Sequence, residues 1–360
     1  MSESAVIHID MNGAQKWLVS GLLHREDGPA VIRANGTQEW WLGGQIHRDG
    51  GPAVIMADGT QEWWSSGQLH REGAPAIMWS NGTQEWWIWN KRHRTDGPAF
   101  IGNDGSEEWL IGGLRHRENG PAIARADGSE EWWVAGHLHR LDGPAIIRPD
   151  RREEWWADGQ RHRNGGPAVT RANGTREWWL GGKRHRTDGP AVIRTNGYQE
   201  WYCRGQLHCD DGPAITRPDG TREWWSRGQR HREGGPAIIG PGRIQGWWIW
   251  NKRHRTDGPA VIRADGTQEW WLGDLLHRDG GPAIVRPDGT EEWYMHGFHH
   301  RDVGPAKIMP DGRCEWWFRG QRHRDGGQVV IQPDGTRGWR RDGHAVENDP
   351  VTNLGLPLPR

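Results

Sequence analysis

The chain has 360 residues and a formal net charge of −1, and 34% of its residues are hydrophobic, including 28 Trp. Its 54 Gly and 22 Pro exclude an architecture of long helices. The charge balance, with Arg and Glu recurring together, excludes a basic or acidic field over the whole molecule.

Residues 1–16 read as a capping half-repeat. Met1-Ser2-Glu3-Ser4-Ala5-Val6 has neither a basic nor an apolar leader region, and Ile7 to Asn12 is a degraded strand containing His8 and Asp10. From Trp17 onward a 23-residue period begins. Trp17, Trp40 and Trp63 lead to Trp293, Trp316 and Trp339; His24, His47 and His70 lead to His300 and His323; Pro29 and Pro52 lead to Pro305. An unbroken period of this size decides the architecture and overrides the two or three domains that length alone would suggest.

Each unit holds two strand-like runs. The first is Pro29-Ala30-Val31-Ile32-Arg33-Ala34, with proline at the start, where a missing donor matters least. Asn35-Gly36 predicts a two-residue type I′ hairpin. Asp150-Arg151 and Gly242-Arg243 depart from that Asx-Gly pattern. A two-residue turn would pair Ala34 with Thr37, Ile32 with Glu39, Val31 with Trp40 and Ala30 with Trp41. The chain turns again at Gly43-Gly44. Gln45-Ile46-His47-Arg48 then forms either a short third strand or a loop; as a strand it would set His47 beside Trp40 and Arg48 beside Glu39. An Asp-Gly-Gly-Pro tail launches the next unit.

One unit buries too little apolar surface to offset the entropy of ordering 23 residues, so the units must stack. One repeat per solenoid coil would stack Glu39, Glu62, Glu85 and Glu108 as a like-charge ladder. The expected fold is therefore all-β, an elongated tandem array of about 15 β-hairpin repeats in a single twisted antiparallel sheet, with a β-solenoid as the alternative. The array would run over residues 17–342. Its last unit carries Gln328, Gly338 and Arg340 at positions held elsewhere by Pro, Glu and an aromatic, and 343–360 is a tail outside the pattern.

The run Gly-Gly-Gln-Ile-His-Arg-Asp-Gly-Gly-Pro, followed by Ala-Asp-Gly-Thr-Gln-Glu-Trp-Trp, resembles a divergent MORN-type repeat. It is similar also to the MORN-variant repeats of the YwqK-like antitoxin group. The resemblance covers about residues 6–342; where the usual motif has Tyr-x-Gly at the strand start, this chain has Glu-Trp-Trp. It implies a non-catalytic hairpin array used for scaffolding, protein binding or contact with anionic lipid.

Among the repeated residues, the first Trp row, Trp17 to Trp339, reads as core. The second row is less constrained, accepting Leu18, Tyr202 and Arg340. Its members Trp41, Trp64, Trp87, Trp133, Trp156, Trp179, Trp225, Trp248, Trp271 and Trp317, interleaved with Arg148, Arg171, Arg194 and Arg217, form the candidate binding surface. Histidines one repeat apart are too distant to share a metal ion. Each is expected beside a Trp, bonded to loop backbone, with His296, His299 and His300 the one local cluster open to adventitious metal. No recurring nucleophile or phosphate loop is present, so neither enzyme nor cofactor is expected.

The leading expectation is a scaffold that binds a protein partner along an extended surface, as an assembly module or in antitoxin fashion. Nucleic acid or glycan stacked on the second Trp row is the alternative, and exposed strand edges leave self-association open. Cys203, Cys209 and Cys314 form no disulfide framework, and no run of 18 apolar residues occurs. Both features suit a cytoplasmic protein with no transmembrane segment.

Overall fold

The computed structural model describes residues 6–322 and, beyond them, 330–331, 333, 337–338, 340–341 and 344–345. The expected tail after Ala345 lies outside the described residues, as do Gln328 and Trp339. The chain divides into two compact units, Met1–Lys183 and Arg184–Arg360, built on the same repeat.

The chain is all-β. Thirty-one strands enter antiparallel pairing as successive hairpins, and in neither unit does this pairing close into a barrel. At the N-terminus Val6–Ile9 pairs with Gln15–Val19, supplying the first repeat with a preceding strand. A typical repeat has four two-residue strands: Val31–Ile32, Gln38–Glu39, Trp41–Leu42 and Gln45–Ile46. The first two belong to the main ladder. Glu39 lies between Val31 of its own repeat and Val54 of the next. Equivalent residues are therefore two strand spacings apart, roughly 9.5 Å, with an aliphatic strand between successive glutamates. This is the hairpin sheet rather than the solenoid.

The register differs by one residue from the expected one. Val31 faces Glu39 and Ile32 faces Gln38, because the loop Ala34-Asn35-Gly36 has three residues instead of two. Gly36 N–H donates to the Arg33 carbonyl and Arg33 N–H to the Thr37 carbonyl. Gly36 lies at φ +90°, while Asn35 Oδ1 accepts from Thr37 N–H. The geometry is a type I turn closed by a left-handed glycine. An Asx-Gly pair serves either turn, so the dipeptide alone does not choose between them. At the departure Gly242-Arg243 a 3₁₀ turn, Pro241–Arg243, takes this place.

The type I′ turn lies at the opposite end of the repeat. Trp41 faces Ile46 and Leu42 faces Gln45, and both linking residues, Gly43 and Gly44, have positive φ, +55° and +80°. Elsewhere the first of these positions is Ser66, Trp89, Ala135, Asp158, Arg204, Arg227 or His296, all at φ +46° to +49°. Few of these residue types favour that conformation, so the turn expected at Gly43-Gly44 is signalled by its second position, which is glycine in most repeats. The segment after it is thus a short strand.

The innermost row is alanine. Ala30, Ala53, Ala76, Ala99 and their equivalents to Ala306 are all 0% exposed. Ala53 accepts from Trp40 N–H and donates to the Glu62 carbonyl, so its backbone joins two successive repeats. Trp86, Ala99 and Leu110 form one buried cluster around such a junction. The first Trp row, expected as the core, is buried at Trp40 and Trp86 and half-buried at its other described positions. Close approach of neighbouring backbones leaves space for a methyl group at the junction, and the indoles cover it from outside.

Candidate functional site

Strand alternation sorts the repeat onto two faces. Glu39 and Trp41, two residues apart, share the first. Trp41 Nε1 donates to Glu39 Oε2 at 3.0 Å. The same bond recurs from Trp64, Trp87, Trp133, Trp156, Trp179, Trp225, Trp271 and Trp317 to the glutamate two residues earlier, at 2.8–3.2 Å. Most of the glutamates are buried, Glu177 to 2% and Glu223 to 4% exposure, while Glu62 and Glu154 are half-buried. Their second oxygen takes a guanidinium: Arg148 reaches Glu131 at 2.6 Å, Arg171 reaches Glu177 at 2.8 Å and Arg217 reaches Glu223 at 2.6 Å. Arg194 instead lies 4.5 Å from the ring centroid of Tyr198, whose hydroxyl donates to Glu200. Trp248 differs because Gly246 replaces the glutamate.

The structure thus brings the sequence-selected tryptophans and arginines together, each half-buried or partnered within the fold. It also corrects the expected partner of the glutamate row. That partner is the Arg33 row, with Arg33 on Glu39 at 2.6 Å, and Arg48 lies elsewhere. Burial works against ionisation at Glu292, but hydrogen bonds from His299 and Arg286 and the nearby charge of Lys307 outweigh it, bringing the carboxyl down to about 2.

The second face carries the first Trp row, the residue two positions on and the His-Arg loop. Arg48 lies flat on Trp40, Cζ 3.9 Å from the ring centroid. Such pairs recur at 3.7–4.3 Å, from Arg25 on Trp17 to Arg301 on Trp293. The guanidinium Nη1 also donates to the proline carbonyl four residues on, as Arg48 does to Pro52 at 3.1 Å. Where Asp stands two residues after the arginine it accepts from Nε, at 2.8–3.0 Å in Asp27, Asp96, Asp142, Asp188 and Asp257. That hydrogen bond and the arginine charge hold these exposed carboxyls below the usual range.

Most of the histidines hydrogen-bond to the next repeat, whereas His70 and His231 stack on Trp89 and Trp250 with Nδ1 unbonded. His47 N–H donates to the Trp40 carbonyl, and its Nδ1 accepts from Ser66 N–H at 3.1 Å, the first residue of the next type I′ turn. His116 holds Ala135 in the same way, and His139 holds Asp158. At the other end of the repeat Thr37 Oγ1 accepts from Ala57 N–H. His296, His299 and His300 diverge: His299 meets Glu292 and His300 meets Asp302. Among the described residues no three His, Cys, Asp or Glu side chains converge on a point that could hold a metal.

Between successive loops lie crevices. One, about 580 Å³, is lined by Arg117, Glu118, Trp132, Val134, Arg140 and Leu141. Its counterpart in the second unit, about 720 Å³, is lined by Arg255, Asp257, Trp270, Leu272, His277 and Arg278. Their rims carry exposed apolar and acidic side chains, with Leu141 at 77% exposure and the Asp142 side chain at 85%. The sequence reading did not single out these rim residues; the recurring Arg-x-Asp-Gly-Pro was the available signal.

No family model matches the chain, and no curated protein matches it. Among solved structures it matches the wild-type TCP10 domain of Danio rerio CPAP in complex with a peptide of Danio rerio STIL. The identity is 13% over 93% of this chain and 97% of that one, with a TM-score of 0.10. Among the described residues no helix is long and apolar enough to cross a membrane.

Proposed function

We propose that the chain is a non-catalytic repeat scaffold that binds a protein partner through its loop-bearing face. The observation that carries this reading is how the two faces use their side chains. On the first face the recurring Glu, Trp and Arg are consumed by one another. On the second, crevices stay open between loops, with Leu141 exposed at the rim of one, and Val303 stands exposed on another loop. Open crevices that present apolar and charged side chains together suit a protein interface. The recurring titratable groups have structural partners, which favours binding over turnover. Within this reading an assembly module comes first and antitoxin-like neutralisation of a partner second, both in the cytoplasm.

The test is a pulldown of the intact protein from its native lysate, with and without nuclease, beside a Leu141→Asp/Val303→Asp variant. A stoichiometric protein that survives nuclease and is lost in the variant is the expected result. Retention dependent on nucleic acid, or undiminished in the variant, overturns the reading.

A further inference from the structure

One repeat breaks the loop-face pattern at a single side chain. The position that holds arginine in Arg25, Arg48, Arg71 and Arg94 is Cys209, and the residue types that receive the guanidinium in the other repeats are retained at their positions. The backbone keeps its course: Cys209 N–H donates to the Trp225 carbonyl as Arg48 N–H does to that of Trp64, and His208 N–H donates to the Trp201 carbonyl. His208 also keeps its bond to the next turn, at Arg227 N–H. Trp201 occupies the position whose ring carries a guanidinium at 3.7–4.3 Å in other repeats. Pro213 occupies the position whose carbonyl accepts from Nη1, and Asp211 the position whose carboxylate accepts from Nε in five repeats.

The space is there as well. A Cβ built on Gly28, Gly51 or Gly143 would meet the arginine Cζ at 2.9, 3.0 or 2.6 Å. Built on Gly212, it would meet only Cys209 Sγ, at 3.9 Å. A thiol is several atoms shorter than an arginine side chain, so Cys209 leaves untaken the place beside Gly212 that the guanidinium takes in other repeats. Asp210 adds a second carboxylate at the rim, its side chain 83% exposed and 3.1 Å from His208 Nε2. A ring face, a carboxylate and a carbonyl acceptor suit a flat cation with several N–H donors better than a spherical ammonium.

We propose that Trp201, Asp211 and the Pro213 carbonyl form a receptor for a guanidinium supplied by another molecule, the arginine side chain of a protein partner. The site deepens the partner-binding reading, and it depends on that reading only for the source of the guanidinium. It would give the array one anchoring repeat among many that satisfy themselves.

The test uses the full chain with Cys203→Ser and Cys314→Ser, so that Cys209 is the sole thiol, and follows its alkylation by iodoacetamide at constant ionic strength. Ethylguanidinium is the probe and neutral ethylurea the control. With an affinity on the order of 10 mM, about 20 mM ethylguanidinium slows labelling roughly threefold by mass action, and ethylurea leaves it unchanged. Asp211→Asn weakens this protection while preserving the ring. In a separate melt, Cys209→Arg raises Tm because the chain now fills its own receptor. Equal labelling rates in ethylguanidinium and ethylurea overturn the proposal, whatever the pulldown returns. Protection by ethylguanidinium with no protein partner captured leaves the receptor standing and removes the partner reading.

Discussion

Glu223 shows how much one side chain carries. Its carboxylate accepts from Trp225 Nε1, Arg217 and Arg230 while being 4% exposed. Glu223→Ala leaves a half-buried indole N–H and two guanidiniums without their acceptor. Since stranding buried polar groups costs more than the net worth of their bonds, we expect a loss of about 2–3 kcal/mol, read from the urea midpoint at neutral pH. Glu292 adds a pH dependence. Its folded pKa, about 2, lies below the ordinary value of 4.5, so the fold favours the ionised form. Its contribution is complete above about pH 4.5 and fades as pH falls toward 2. Urea titrations across that window should show a shallower decline in Glu292→Gln than in the parent.

At the scale of the hairpin, both turns hold a residue at positive φ, and one meets that demand with glycine while the other does not. Gly59 sits at φ +91° in the three-residue loop, and Gly59→Ala should destabilise by about 1–2 kcal/mol. Ala135 sits at φ +47° in the type I′ turn, where a side chain is strained. Ala135→Gly relieves that strain at some entropic cost and should stabilise by about 0.5–1 kcal/mol. Thermal melts of the two variants should therefore move in opposite directions. What holds Ala135 in place is the His116 ring of the preceding repeat, accepting its N–H at 3.1 Å. His116→Ala should lower stability by about 1 kcal/mol and speed hydrogen exchange at the Ala135 amide.

Over the whole molecule, cohesion is a nearest-neighbour property: a repeat bonds to the next through Ala53, Arg48, His47 and Thr37. Stability should then follow the number of intact junctions. Excising residues 63–85, one period, joins equivalent positions and should leave the β-type circular dichroism unchanged with a modest fall in Tm. Excising only 63–73 destroys the phase of every pairing across the cut and should abolish cooperative unfolding of the unit that contains it.

The period, the all-β class and the hairpin sheet were legible in the sequence because each is written many times over. Trp17 to Trp316 at constant spacing requires a repeat array, and the like-charge penalty on Glu39, Glu62 and Glu85 favoured sheet over solenoid, with the solenoid kept as the alternative. The register was not legible, because Asn35-Gly36 fits both a two-residue and a three-residue loop and only the closed ladder selects between them. Nor was the alanine core: an indole buries more area than a methyl, but the distance between neighbouring backbones decides which of them fits at the junction. Arg48 and Glu39 attract at any spacing in a sequence; the fold laid Arg48 on Trp40 and gave Glu39 to Arg33. Local propensity and periodicity determined what kind of structure forms. Which side chains satisfy one another, and which crevices are left open, was decided only by packing across repeats, where partners lie about 20 residues apart in the chain.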